Sequence, residues 1–215
     1  EPTDKIGNIT LYNADCMEVM KTFKDKQFDL AIVDPPYGIG ADKAQNARAA
    51  HGGGWKAYKE TDWDNEVPPP EYFEQLFRVS KDQIIWGGNY FHNVNLEGVI
   101  VWNKGNSGKF KEGELAKTSF NTFKIYYCSR VDAYINKIDI KIHPTQKPVQ
   151  LYEWLLLNYA KEGERILDTH FGSLSIGIAC EKLGFELTAI ELDKDYYRMA
   201  KQRLLDFKKQ LTIEF

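Results

Sequence analysis

The sequence predicts an α/β protein built on a doubly wound, mostly parallel sheet with helices on both faces. Three observations point there. Short apolar runs rich in β-branched residues alternate with segments of helical periodicity, the rhythm of a parallel sheet. The runs, such as Phe28–Val33, are apolar almost throughout, as strands covered on both faces are. The turns that follow the strands gather polar and glycine residues at Asp34, at 168–173 and at Glu191. With 215 residues, 43% of them hydrophobic, the chain is long enough for one substantial core, and a single domain over 1–215 is expected.

The elements follow in order. Residues 9–12 read as a strand, and Cys16, Val19, Met20 and Phe23 recur on one helix face with Asp15 as its N-cap. Phe28–Val33 is the central strand, halted by Pro35 and Pro36. The stretch 38–70 has little periodicity and holds Gly52-Gly53-Gly54 and Pro68-Pro69-Pro70. So long an irregular segment reads as an inserted lid loop. Tyr72, Phe73, Leu76 and Phe77 mark a helix, Gln83–Trp86 a strand, and Gly87-Gly88-Asn89 a turn of close backbone approach. Val99–Trp102 reads as a strand, the glycine- and lysine-containing segment 103–117 as a loop, and Phe120–Cys128 as a strand. His143–Pro148 is a rigid connector to a helix, Val149–Ala160, apolar nearly all round and so expected to be buried. Arg165–Asp168 is a strand, Thr169–Ser173 its turn, and Ile176, Ala179, Cys180 and Leu183 one face of the next helix. Leu187–Ile190 is a strand ending in Glu191, and Tyr196, Met199, Ala200, Leu204 and Phe207 face inward from the last helix.

Two places on this frame have the makings of chemistry. At Asp34-Pro35-Pro36-Tyr37 neither proline can donate to a ladder, and each fixes its own φ. The result is a stiff corner with a carboxylate, free carbonyls and an aromatic ring at the carboxyl end of a strand, where open α/β sheets bind ligands. It suits a planar base bearing an amine. Alone, it would read as a tight turn. The second place is Asp168-x-x-Phe171-Gly172-Ser173, a strand–helix turn, followed 23 residues after Asp168 by Glu191 at the end of the next strand. A helix start offers N–H groups to an anion, and an acid about twenty residues on can bind ribose hydroxyls. One glycine is not the three-glycine fingerprint, so NAD is not expected.

Composition excludes several classes. Cys16, Cys128 and Cys180 form no Cys-x-x-Cys pair and no ligand cluster, which argues against a disulfide framework or a metal site and suits a reducing cytoplasm. No apolar run approaches the ~20 residues of a membrane span. Residues Glu1–Lys5 lack the form of a signal peptide, and the chain begins without methionine. The net charge of −3 conceals a basic middle: nine Lys/Arg against four acids between Asn103 and Lys147, or +5. That is a modest sign of a polyanion partner.

Together these motifs resemble the beta-class DNA amino-methyltransferases, over almost the whole chain. Asn13-Ala14-Asp15-Cys16 is similar to the family's N-terminal motif, whose acid reads the cofactor adenine. Asp34, Pro35, Pro36 and Tyr37 match its catalytic motif. In His143–Pro148, Thr145 and Lys147 are the candidates for the methionine carboxylate. Asp168, Phe171, Gly172 and Ser173 match the cofactor loop, with Asp34 beside it, and Glu191 the ribose acid. The catalytic motif precedes the cofactor loop, the circularly permuted order of this class on a Rossmann-like methyltransferase sheet. Trp86–Tyr90 and Glu114–Phe120 look most like small bacteriophage or prophage members. Thr169-His170 stands where many members have proline, and Leu174 where many have glycine.

The resemblance implies methyl transfer from S-adenosylmethionine to adenine N6 in double-stranded DNA, in a bacterial or phage-infected cytoplasm and as part of restriction–modification. It also makes a homodimer an expectation. A small target-recognition segment is expected at about 103–142, with Lys104, Lys109, Lys111 and Lys117 on phosphates. Transfer to cytosine N4 is the nearest alternative. A non-catalytic nucleic-acid-binding protein and a small-molecule N-methyltransferase are the others.

Overall fold

The computed structural model describes residues 1–40, 64–105, 112–129 and 140–213. Most of the expected lid loop, and parts of the expected target-recognition segment, lie outside these residues. Among the described residues, one nine-stranded sheet organises the fold. Its strands are β1 (Asp4–Ile6), β2 (Ile9–Asn13), β3 (Phe28–Val33), β4 (Ser80–Trp86), β5 (Gly98–Asn103), β6 (Gly113–Thr118), β7 (Phe123–Tyr127), β8 (Arg165–Asp168) and β9 (Glu186–Glu191). The spatial order is β1-β2-β9-β8-β3-β4-β6-β5-β7. From β2 through β9, β8 and β3 to β4 all pairings are parallel, while β1, β4–β6 and β5–β6 pair antiparallel.

Helices cover both faces. On one lie α1 (Cys16–Lys21) and α2 (Pro70–Val79), whose Val19, Met20, Tyr72, Phe73 and Leu76 pack on Ala31, Val33, Ile85, Leu167 and Ile190. On the other lie α3 (Val149–Tyr159), α4 (Ser175–Leu183) and α5 (Lys194–Ile213), packed on Leu11, Leu30, Ile32, Ile84, Ile166 and Leu187. Alternate residues of β3 therefore feed opposite cores, which is why its sequence is apolar without a break. Local chemistry sets the helix ends. The Asp15 carboxylate accepts from Met17 N at 2.7 Å and caps α1. Pro69 and Pro70 open α2, where a missing N–H costs nothing.

Several expectations need correction. The segment 113–118 is a strand rather than a loop: Ala116 and Thr118 alternate inward, and the hydrogen-bonded register Val101↔Leu115 pairs it to β5. Its charged residues concealed this alternation. Lys104 is not a free phosphate contact; its side chain is buried against Glu114. Helix α3 buries Leu151, Tyr152, Leu155 and Leu156 but leaves Leu157 67% exposed, so it has one covered face rather than a covered circumference. On α5, Met199 points to solvent while Tyr197 turns inward instead. Strand β1, three residues long and half polar, escaped the sequence reading.

Candidate active site

The parallel strands run to one edge, and the side chains expected to function are arrayed along it. In the ladder Asn13 pairs with Glu191, Asp168 with Ala189, Leu167 with Ala31, and Val33 with Ile85. Asp15, Asp34, Asp168 and Glu191 thus follow neighbouring strand ends. The chain leaves β3 toward β4 on one side and β8 toward β9 on the other, so the topological switch point lies between β3 and β8. Ligands of open α/β sheets bind at such a crevice. Asp34 stands on one bank and Asp168 on the other.

The corner after β3 is held from several sides. One oxygen of Asp34 accepts from the Tyr37 hydroxyl, and the other lies 2.5 Å from Lys147 Nζ. The backbone N–H groups of Tyr37 and Gly38, freed by the two prolines, donate to the buried Asp64 carboxylate at 2.7 and 3.0 Å. Asp64 was not singled out from the sequence, because it sits in a stretch without periodicity. The Tyr37 ring stacks on Tyr90 with centroids 5.2 Å apart and planes at 16°. Gly87 makes this possible: its φ is +69°, and a Cβ there would lie 2.2 Å from Tyr37 Cε1. Burial and the Asp34 charge raise the Tyr37 phenol well above 10, so it stays protonated.

Lys147 is the centre of a buried ion network. Its side chain is 2% exposed, and besides Asp34 it reaches Glu114 Oε2 at 3.0 Å and the Tyr37 hydroxyl at 3.3 Å. Its ammonium also lies 5.2 Å from the Trp86 ring centre. The other oxygen of Glu114 pairs with Lys104. Burial works against the charges of both Glu114 and Lys147. For Glu114 the two lysines outweigh it and hold the carboxyl at about 2; for Lys147 the two carboxylates outweigh it and raise the ammonium above 10.5. Lys147, expected from the resemblance to meet a ligand carboxylate, is engaged with carboxylates of the protein itself.

The opposite bank is a crowded acidic pocket. Glu191 accepts from the N–H groups of Gly172 and Asp193, each at 2.9 Å. Burial nevertheless raises it from 4.5 to about 7. Asp168 accepts from His170 N at 3.0 Å, yet burial, with Asp34 and Glu191 facing it, lifts its carboxyl from 3.8 to about 8. Gly172 adopts φ +48°, and a Cβ there would lie 3.5 Å from the His143 ring. Thr145 Oγ1 meets His143 Nδ1 at 3.2 Å within the connector, and it is the His143 ring that lies beside this loop. Burial keeps His143 neutral, down to about 3. Phe171 is buried beside Tyr197, and the Ser173 carbonyl accepts from Arg203 at 2.5 Å. Leu174, where the resemblance leads one to expect glycine, takes φ +57° with its side chain fully buried. Gly177 makes room, since a Cβ there would stand 2.6 Å from Leu174 Cγ.

Cys16 lies beside this turn, at the start of α1. Cys16 Sγ lies 3.8 Å from His170 Nε2, and burial pushes its thiol up to about 12. His170 continues through Thr169 at 2.9 Å to the Tyr72 hydroxyl at 2.6 Å. Asp15 is exposed and serves as the cap already described. Asp34, Tyr37 and Lys147 thus meet on one bank, and Asp168, Gly172 and Glu191 on the other. Asp64, Tyr90 and Glu114 join the first group and His170 the second. The sequence marked Tyr90 and Glu114 only as parts of Trp86–Tyr90 and Glu114–Phe120, and His170 only as a departure from the family pattern; Asp64 it did not mark.

The fold recurs in solved structures. M1.HpyAVI, in complex with SAM, superposes with a TM-score of 0.60 at 19% identity, covering 91% of this chain and 98% of that one. PvuII DNA methyltransferase, cytosine-N4-specific, gives 0.59 at 12% identity over 98% and 94%. The fold is that of the DNA methyltransferases. Residues 111–202 match the family model of the N6/N4 type described as DNA methylase. Type II methyltransferase M2.DpnII of Streptococcus pneumoniae is 24% identical over 92% of this chain and 90% of its own length. M.HpaI of Haemophilus parainfluenzae reaches 42% identity, over 33% of this chain. Among the described residues no helix of this methyltransferase fold is long and apolar enough to cross a membrane. No group of three or more His, Cys, Asp or Glu among them is placed to hold a metal ion.

Proposed function

We propose that this protein is a DNA methyltransferase that moves a methyl group from S-adenosylmethionine to the exocyclic N6 of an adenine flipped out of duplex DNA. The observation behind this reading is the meeting of Asp34 with the Asp168–Glu191 pocket across the switch point. S-adenosylmethionine carries a sulfonium and an ammonium. A pocket in which burial, with Asp34 and Glu191 nearby, lifts Asp168 to about 8, and burial lifts Glu191 to about 7, suits a cation, which relieves both. Glu191 would accept from the ribose hydroxyls, Asp15 and Cys16 border the adenine, and Phe171, Gly172 and Ser173 line the wall. Thr145 faces the methionine end. Lys147 enters as the partner of Asp34, since its contacts are with Asp34 and Glu114.

When bound, the cofactor supplies an electrophilic methyl. The chain supplies orientation. The amine of adenine is a poor nucleophile because its lone pair is shared with the ring. Asp34 and the Pro35 carbonyl accept from its N–H groups, draw the nitrogen toward tetrahedral geometry and aim the lone pair. Asp64 holds the corner by its amides. Tyr37, braced on Tyr90 and Gly87, presents aromatic surface to a base whose extrusion costs roughly a few kcal/mol. Stacking would offset about 1–3 kcal/mol of that. Asp rather than Ser at position 34 favours adenine over cytosine. The double-stranded DNA partner, the homodimer and the recognition segment near 103–142 belong to the same proposal.

Mass spectrometry of nucleosides from DNA incubated with the protein and labelled cofactor tests it. N6-methyldeoxyadenosine is expected, and Asp34→Ala should abolish it while leaving cofactor binding within a few-fold. N4-methyldeoxycytidine would transfer the assignment to cytosine. Loss of cofactor binding in Asp34→Ala would contradict the division of labour across the crevice.

A further inference from the structure

We infer that Glu114 is a positioning residue, one that sets how firmly Lys147 holds the Asp34 carboxylate. The inference rests on the assignment of Asp34 to the target amine. Both oxygens of Asp34 are engaged, one by the Tyr37 hydroxyl and one by Lys147 at 2.5 Å. An acceptor saturated by a buried ammonium is a weak acceptor for an incoming N–H. Glu114 supplies a second place for that ammonium, Oε2 at 3.0 Å from Nζ. With Glu114 present, Lys147 can shift its charge from one carboxylate to another without being left unpaired in the interior.

The placement of Glu114 is firm. It sits on β6 opposite Trp102 of β5, and Lys104, which follows the same strand, grips its other oxygen. Lys104 N in turn donates to Glu112 O at 2.8 Å, closing the base of the hairpin. Lys104, Glu114, Lys147 and Asp34 sum to zero charge. The hairpin therefore presents to the reacting corner a carboxylate that Lys104 holds in place.

The test compares Glu114→Gln with the double variant Lys104→Met/Glu114→Gln. The double variant removes a neighbouring opposite pair, leaves the network neutral and keeps a fold to measure if the single one is lost. In both, Lys147 has Asp34 as its one anionic partner in this network. The expected result is a kcat lowered by about 10–100-fold, the rate equivalent of one hydrogen bond to a charged group. KM for DNA and the cofactor dissociation constant should stay unchanged, and Glu114→Asp should recover part of kcat. Wild-type kcat in either folded variant would overturn the inference, as would a loss confined to KM or to cofactor binding. Nitrogen NMR of the Lys147 ammonium is independent of turnover. Its titration should move down in Glu114→Gln, and an unchanged titration overturns the inference in any case. If the wild-type protein methylates no DNA while Glu114→Gln still shows that downward move, the functional reading falls and the shared charge stands.

Discussion

Gly87→Ala is a sharp test of how the reacting corner is held. The new Cβ would lie 2.2, 2.5 and 2.7 Å from Cε1, Cδ1 and Cζ of Tyr37, so the ring must move by about 1 Å to restore van der Waals contact. It has little freedom to do so. Tyr90 stacks on it at 5.2 Å, and its hydroxyl is bound to Asp34 and within 3.3 Å of Lys147. Overpacking of this kind costs about 1–3 kcal/mol. The backbone at φ +69° adds about 1 kcal/mol for any residue with a Cβ. Urea denaturation should therefore show Gly87→Ala destabilised by about 2–4 kcal/mol. In a Tyr37→Ala background the clash is gone, and the same change should cost about 1 kcal/mol. The cycle then yields a coupling of about 1–3 kcal/mol. A coupling within about 0.5 kcal/mol of zero would show that Gly87 and Tyr37 do not constrain one another.

Asp64→Ala should cost about 2–3 kcal/mol of stability in the same assay, since the Tyr37 and Gly38 amides lose a charged acceptor. Asp64→Asn, which keeps one oxygen, should recover part of that; no loss in either variant would exclude Asp64 as the brace. Glu191 gives a pH dependence. Its folded pKa of about 7 lies above the ordinary 4.5, so the folded state binds the extra proton between these values and the stability it confers is lost as pH rises through them. Without ligand, Glu191→Gln should be more stable than wild type at pH 8, and the difference should vanish by pH 4. A larger advantage at pH 4 would reverse the sign of the argument.

Much of this site was legible because its residues punctuate strands. Asp34-Pro35-Pro36, Asp168 and Glu191 each end an apolar run, and the covering helices announced themselves by apolar spacing. What stayed hidden depends on partners far along the chain. Glu114 and Lys104 looked like solvated loop charges, because no local pattern reveals that Lys147 lies between Glu114 and Asp34. Asp64 acts through two backbone amides, groups that every residue but proline has, so the sequence marks neither partner. Leu174 stood out as a departure from a common glycine. It is tolerated because Gly177 gives back the space, a compensation three residues away that only the φ of +57° and the contact distance disclose.

The sheet order has a consequence for how the protein comes into being on the ribosome. Strands β2 and β3 are made early but are not neighbours; β9 and β8, made last, lie between them. Until residues 165–191 emerge, β1–β2 and β3–β4 are separate pieces, each with an open edge where its partner belongs. The crevice has one bank and no floor. Assembly must close contacts such as Asn13↔Glu191 across nearly the whole chain, which is slow. A nascent chain in this state exposes unpaired apolar edges to its neighbours. Ligand binding and the final folding step are thus tied to the same two strands, and no partially made chain can hold a cofactor against a base.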